Sequence, residues 1–122
     1  MHLIKLSDVN HSEKTLTQAV LQITQMLGLY HAELARILHL QCSDIGDLSN
    51  AECFISKNSI SWIEAEKYIE LYEYLYVLFD GDEPLMNNWL RKKNKILNAL
   101  PLYMMVDELR IDDVLEVLKN SI

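Results

Sequence analysis

The chain has 122 residues, 50% hydrophobic and 24% charged, with a formal charge of −7. It is long enough to bury a core without metal or disulfide staples and too apolar for disorder. No apolar run approaches the roughly 18 residues of a membrane span, and the N-terminal MHLIKLSDVNHSEK lacks a signal-peptide pattern, so composition excludes the membrane, secreted-disulfide and fibrous classes and points to a cytoplasmic protein.

Only three glycines and two prolines punctuate the chain, too few for a hairpin fold, and the apolar periodicity is helical. After a loose start, Leu16, Ala19, Val20, Ile23, Met26 and Leu27 recur at helical spacing, with Thr15 and Gln18 as the expected capping box and Gly28 as the stop. A second helix is expected over 31–38, burying Leu34, Ala35 and Leu38, and a short third over about 43–49. Residues 50–60 read as a connection with at most one more helical turn. The longest helix is expected over 61–79, opened by Ser61 and Glu64. Its two apolar stripes are Trp62, Ala65, Ile69, Tyr72, Tyr76 and Phe79, and Tyr68, Leu71, Leu75 and Leu78. A helix apolar over that much of its circumference packs on two sides. Beyond DGDEP, Pro84 opens a helix carrying Leu85, Met86, Trp89 and Leu90. A helical turn at Lys95–Asn98, a helix opened by Pro101 and a last helix over 112–119 complete an all-α chain. Three parts follow: a helix-turn-helix-like N-terminal bundle over 1–60, a connecting long helix over 61–79, and a small C-terminal helical region over 80–122.

Charge is unevenly placed. Residues 1–60 carry four basic and six acidic side chains, and residues 61–122 seven and twelve. Four of those seven cations fall together, at Arg91, Lys92, Lys93 and Lys95. A surface of net negative charge opposes broad, non-specific nucleic-acid binding but leaves room for a local basic patch.

The first constellation is a helix-turn-helix. That motif needs a small residue where the helices cross, a left-handed turn residue four positions later, and a branched apolar anchor six further on. Ala35, His39 and Ile45 have this spacing, supported by Leu34, Leu38 and Leu48. Histidine is among the residues that tolerate positive φ. The second helix offers Gln41, Ser43, Asp47 and Asn50 as base-reading candidates. It carries Asp44 and Asp47 and no Lys or Arg, with only Arg36 and Lys57 nearby, which works against phosphate anchoring. A DNA-binding dimer and a motif kept for packing both remain open. The long-helix tyrosines Tyr68, Tyr72 and Tyr76 share a face that suits either core or homodimer surface.

The second constellation is WLRKKNKILNALP. Trp89, Leu90, Asn94 and Leu97 form the pattern W-L-x-x-x-N-x-x-L, Pro101 follows, and Val114 and Leu118 lie in the helix beyond it. With Leu78 and Phe79 before the Asp80-Gly81-Asp82 turn, this run resembles the toxin-binding region of the Xre/MbcA/ParS-type antitoxins, and the resemblance spans roughly residues 16–122. It implies an Xre-like helix-turn-helix that binds the operon's own promoter. It also implies a C-terminal region that occludes a cognate toxin, commonly a RES-type enzyme consuming NAD. Two family glycines are missing: Asn98-Ala99-Leu100 stands between Leu97 and Pro101, and Arg110 stands before the last helix. On residue chemistry alone, Trp89 and Leu90 read as core, Asn94 as a turn cap, and Arg91–Lys95 either as cations near a helix C-terminus or as a contact patch for an acidic partner.

Catalysis has no carrier in the sequence. His2, His11, His31 and His39 show no metal-ligand spacing, Cys42 and Cys53 form no metal, redox or triad motif, and no glycine loop cradles phosphate. The sequence therefore predicts a non-enzymatic regulator without cofactor or metal. The leading expectation is an antitoxin-like protein with a toxin partner. The alternatives are a stand-alone helix-turn-helix regulator and a helical adaptor without a toxin partner.

Overall fold

A computed structural model describes residues 3–121. Eight helices follow in order: α1 Leu6–Val9, α2 Glu13–Leu27, α3 His31–Leu38, α4 Cys42–Ser49, α5 Ile60–Leu78, α6 Glu83–Leu90, α7 Pro101–Val106 and α8 Ile111–Lys119. The fold is all-α, and α5 joins the helix-turn-helix-like bundle to the C-terminal helices. No described helix is long and apolar enough to cross a membrane.

Two helices begin earlier than their capping boxes suggest, for the same physical reason. A helix starts where a side-chain oxygen reaches an otherwise unpaired amide. At α2 that oxygen is Ser12 Oγ, which accepts from the Thr15 amide at 3.1 Å, so the helix opens ahead of Thr15. At α5 it is Ser59 Oγ, accepting from the Trp62 amide at 3.2 Å. Ser61 instead lies inside the helix, buried, and donates to the Leu38 carbonyl at the end of α3 at 2.7 Å. The N-termini of α3 and α4 share another device: Glu33 accepts from the Tyr30 amide at 2.8 Å, and Asp44 from the Gln41 amide at 2.9 Å.

The spine α5 buries Trp62, Ala65, Ile69 and Tyr72 together with Tyr68, Leu71 and Leu75. It packs against α1, α2 and α3 and against α8, as a helix apolar around most of its circumference must. One contiguous core runs from Ile4 through Ile45 and Leu75 to Leu118. Tyr68 and Tyr72 are both wholly buried, so the tyrosine face is interior at these two positions and offers no dimer surface there. The Tyr68 hydroxyl meets Thr24 Oγ1 at 2.9 Å. Because Thr24 Oγ1 donates to the Val20 carbonyl at 2.7 Å, it is Tyr68 that donates to Thr24, and both buried hydroxyls are satisfied.

The connection 50–59 contains no further helix. It is held by α2: Thr17 Oγ1 accepts from the Ile55 amide at 2.9 Å and Glu13 from the Lys57 amide at 2.7 Å. On the long helix, Glu73 accepts from the Leu6 amide at 3.0 Å, anchoring the start of α1. Past α5, Asp82 caps α6 by accepting from the Leu85 amide, with Pro84 in the first turn. Trp89 is half-buried at the edge of the core, whereas Leu90 is fully enclosed. Residues 95–98 form the single turn expected, closed by the Asn98 amide on the Asn94 carbonyl and bracketed by a bridge between Asn94 and Ala99.

Candidate functional site

Two surfaces carry the residues singled out by the sequence. The first is the α3–α4 pair. Ala35 is buried where the helices approach, Ile45 is fully buried, and Leu34, Leu38 and Leu48 line the same seam. His39 adopts φ 60° and ψ 39°. The Leu40 amide then reaches the Ala35 carbonyl at 2.8 Å and the His39 amide reaches Arg36 at 3.2 Å. This is the bonding of a helix end closed by a left-handed residue. Local sequence therefore sets the helix-turn-helix geometry.

Gln41, Ser43, Asp47 and Asn50 are all exposed. Gln41 and Asn50 sit at the two caps of α4. Asp44 is spent on the Gln41 amide, but Asp47 faces solvent and no cation lies on the helix. The two cations nearest in sequence are turned to other tasks. Arg36 Nε donates to the Val106 carbonyl on α7 at 3.1 Å. Lys57 Nζ donates to the His11 carbonyl at 3.2 Å and lies 5.9 Å from the Trp62 ring centroid. The α4 face can hydrogen-bond base edges, yet it offers phosphate no charge-assisted donor.

The second surface is the basic run, which the structure divides. Arg91 reaches back to the C-terminal end of α2 and donates to the Leu27 and Gly28 carbonyls at 3.2 and 2.9 Å. Those carbonyls carry the negative end of the helix dipole, so Arg91 clamps the end of α6 to the end of α2. Asn94 builds the turn. Its Oδ1 accepts from the Ile96 and Leu97 amides at 2.9 and 3.1 Å, its amide donates to Ala99 at 2.9 Å, and its carbonyl accepts from Asn98 at 2.8 Å. Leu97 and Ala99 pack against the core. Lys92, Lys93 and Lys95 are exposed and make no side-chain hydrogen bond or ion pair among the described residues. Pro101, Val114 and Leu118 are buried in α7 and α8.

Two non-glycine residues beside α7 and α8 take a backbone conformation that glycine adopts freely. Asn98 at φ 56° and Leu109 at φ 55° occupy the left-handed region. The residue under strain before α8 is therefore Leu109, while Arg110 has φ −114°.

Among the described residues no three of His, Cys, Asp and Glu stand together as a metal site, Cys42 and Cys53 are exposed free thiols, and His2 lies outside the described residues. A cleft of about 400 Å³ beside α2 is lined by polar groups including Gln18, Gln22, Gln25 and His31. Sequence reasoning missed the Arg91 clamp, whose acceptors lie more than sixty residues away. It also missed Ile96, which sits in solvent at the tip of the basic turn. Compared with protein-family models and with curated proteins, the chain finds no match.

Proposed function

We propose that the chain is an antitoxin-like binding protein whose C-terminal region engages and occludes a cognate toxin. The observation that supports this most is the basic turn. In a chain of net charge −7, three exposed lysines without partners among the described residues lie together, Lys92 and Lys93 just before an ordered turn and Lys95 within it. Surface cations normally scatter among carboxylates, and a concentrated unpaired group on a fixed backbone favours a complementary acidic partner. The resemblance of the W-L-x-x-x-N-x-x-L run to the Xre/MbcA/ParS-type antitoxins supplies the class of that partner, a protein toxin of the RES type. Nothing in this role requires catalysis, a cofactor or a metal, and its setting is the cytoplasm.

Promoter binding by the α3–α4 pair, as a homodimer or within the toxin complex, is the second activity this reading includes. The left-handed His39 and the four exposed polar side chains of α4 favour it, and Asp47 opposes it. If that surface acted alone, the chain would be a stand-alone helix-turn-helix regulator. Binding to its own promoter would then fall steeply with salt, by roughly 10³–10⁵ between 50 and 200 mM for about 6–10 phosphate contacts.

The test is co-expression with the product of the adjacent gene. The proposal expects the neighbour alone to arrest growth and this chain to restore it. A harmless neighbour, or arrest that this chain does not relieve, refutes the antitoxin reading.

A further inference from the structure

Ile96 is the most exposed large apolar side chain among the described residues, at 77%. An exposed isoleucine needs no explanation by itself. Its setting does, for three reasons.

The backbone beneath it is fixed. Four hydrogen bonds converge on Asn94, Leu97 and Ala99 seat the turn on the core, and α7 begins directly after it at Pro101. An apolar tip on a preordered turn enters a partner's pocket with little further loss of backbone entropy. Lys92, Lys93 and Lys95 lie within four residues of the tip and make no side-chain hydrogen bond or ion pair among the described residues, while Ile96 itself also borders a cleft lined by Arg110, Asp113 and Glu116. In a chain of net charge −7 these lysines are the densest run of cations, which favours an acidic surface approaching at this end of the molecule. Finally, an isoleucine at the apex is ill suited to lie against a phosphate backbone, which a lysine cluster alone would fit.

We infer that Ile96 is an apolar anchor that inserts into a pocket on the partner protein, rimmed by Asp and Glu side chains that pair with Lys92, Lys93 and Lys95. This rests on the antitoxin reading and narrows it. Within the basic run, Arg91 ties α6 to the end of α2, Asn94 builds the turn and the three lysines contact the partner. The anchor is a residue outside that run.

The experiment uses the full chain and the purified product of the adjacent gene, with affinity read by calorimetry and association rate by stopped flow. Ile96→Asp should weaken binding by about 30-fold or more, as loss of a central anchor does, and Ile96→Leu should restore most of it. Lys92→Glu, Lys93→Glu and Lys95→Glu together should slow association by about tenfold or more and remove its salt dependence. All variants should melt like the parent, because none of these side chains is buried. Failure of the parent chain to bind the neighbour overturns the antitoxin reading and the anchor with it. Full-strength binding by Ile96→Asp overturns the anchor alone and leaves that reading standing. If Ile96→Asp abolishes only self-association, or the lysine variant loses only DNA binding, the tip serves a second copy or nucleic acid and the inference is wrong.

Discussion

Arg91 shows how a residue that looks like surface charge can be structural. Its guanidinium joins α6 to the Leu27 and Gly28 carbonyls, closing the end of a helix that Gly28, at φ 69°, also terminates. Arg91→Ala should lower stability by about 1–2 kcal/mol in a denaturant titration, the range of hydrogen bonds from a charged donor at a partly exposed site. Lys92→Ala with Lys93→Ala should stay within about 0.5 kcal/mol of the parent. The sequence offered no route to this difference, since four adjacent cations look alike until the chain folds one of them onto a helix end far away. Tyr68 is the matching case in the interior. Burial raises its pKa above the ordinary tyrosine value, with the Thr24 hydrogen bond opposing. The unfolded chain therefore releases this proton first. The stabilisation is complete below about pH 10 and is lost as pH climbs through the folded value. Tyr68→Phe should cost about 1 kcal/mol at neutral pH and flatten the decline above pH 10, as followed by unfolding at stepped pH.

At the scale of elements, helix existence was legible and helix starts were less so. The apolar spacing of α2, α3 and α5, the role of Pro84 and Pro101 and the turn at His39 all follow from local chemistry. The starts of α2 and α5 were displaced because two hydroxyls compete at each. Tertiary demand decided the second case by turning Ser61 inward to the Leu38 carbonyl. The single turn expected at 95–98 is present, closed by the Asn98 amide on the Asn94 carbonyl and held by the side-chain bonds of Asn94, which end it after one turn. Helix ends depend on the same backbone economy. His39, Ala51, Asp80 and Leu109 take positive φ where glycine would do so freely. The glycines present differ in how replaceable they are. Gly46 lies within α4 with open space around an added methyl, so Gly46→Ala should stabilise by about 0.5–1 kcal/mol. At Gly81, φ is +74° and an added methyl meets the Tyr76 ring at 2.9 Å. Gly81→Ala should therefore destabilise by about 1–2 kcal/mol, and thermal melting of the two variants should shift in opposite directions.

For the molecule as a whole, α5 is what makes the two ends one structure. Its two apolar stripes were readable in the sequence, whereas the direct packing of α3 on α7 and of α2 on α6 was not. The ties that fix the pieces in register, Glu73 to Leu6, Arg36 to Val106 and Arg91 to the end of α2, join residues distant in sequence and leave no local pattern. The candidate site divides the same way. The helix-turn-helix follows from a three-residue spacing, whereas the anchor at Ile96 emerges only when the turn is seen to point it outward. With an acidic α4 and an unpaired basic turn, the charge distribution favours a protein partner over DNA as the primary ligand. The measurement that tests this most directly is the light-scattering mass of the chain purified after co-expression with its genomic neighbour. The account predicts one species containing both proteins, heavier than the 14.2 kDa of this chain by at least the mass of the partner. Recovery of this chain alone, as monomer or dimer, with the neighbour in separate fractions, would contradict it.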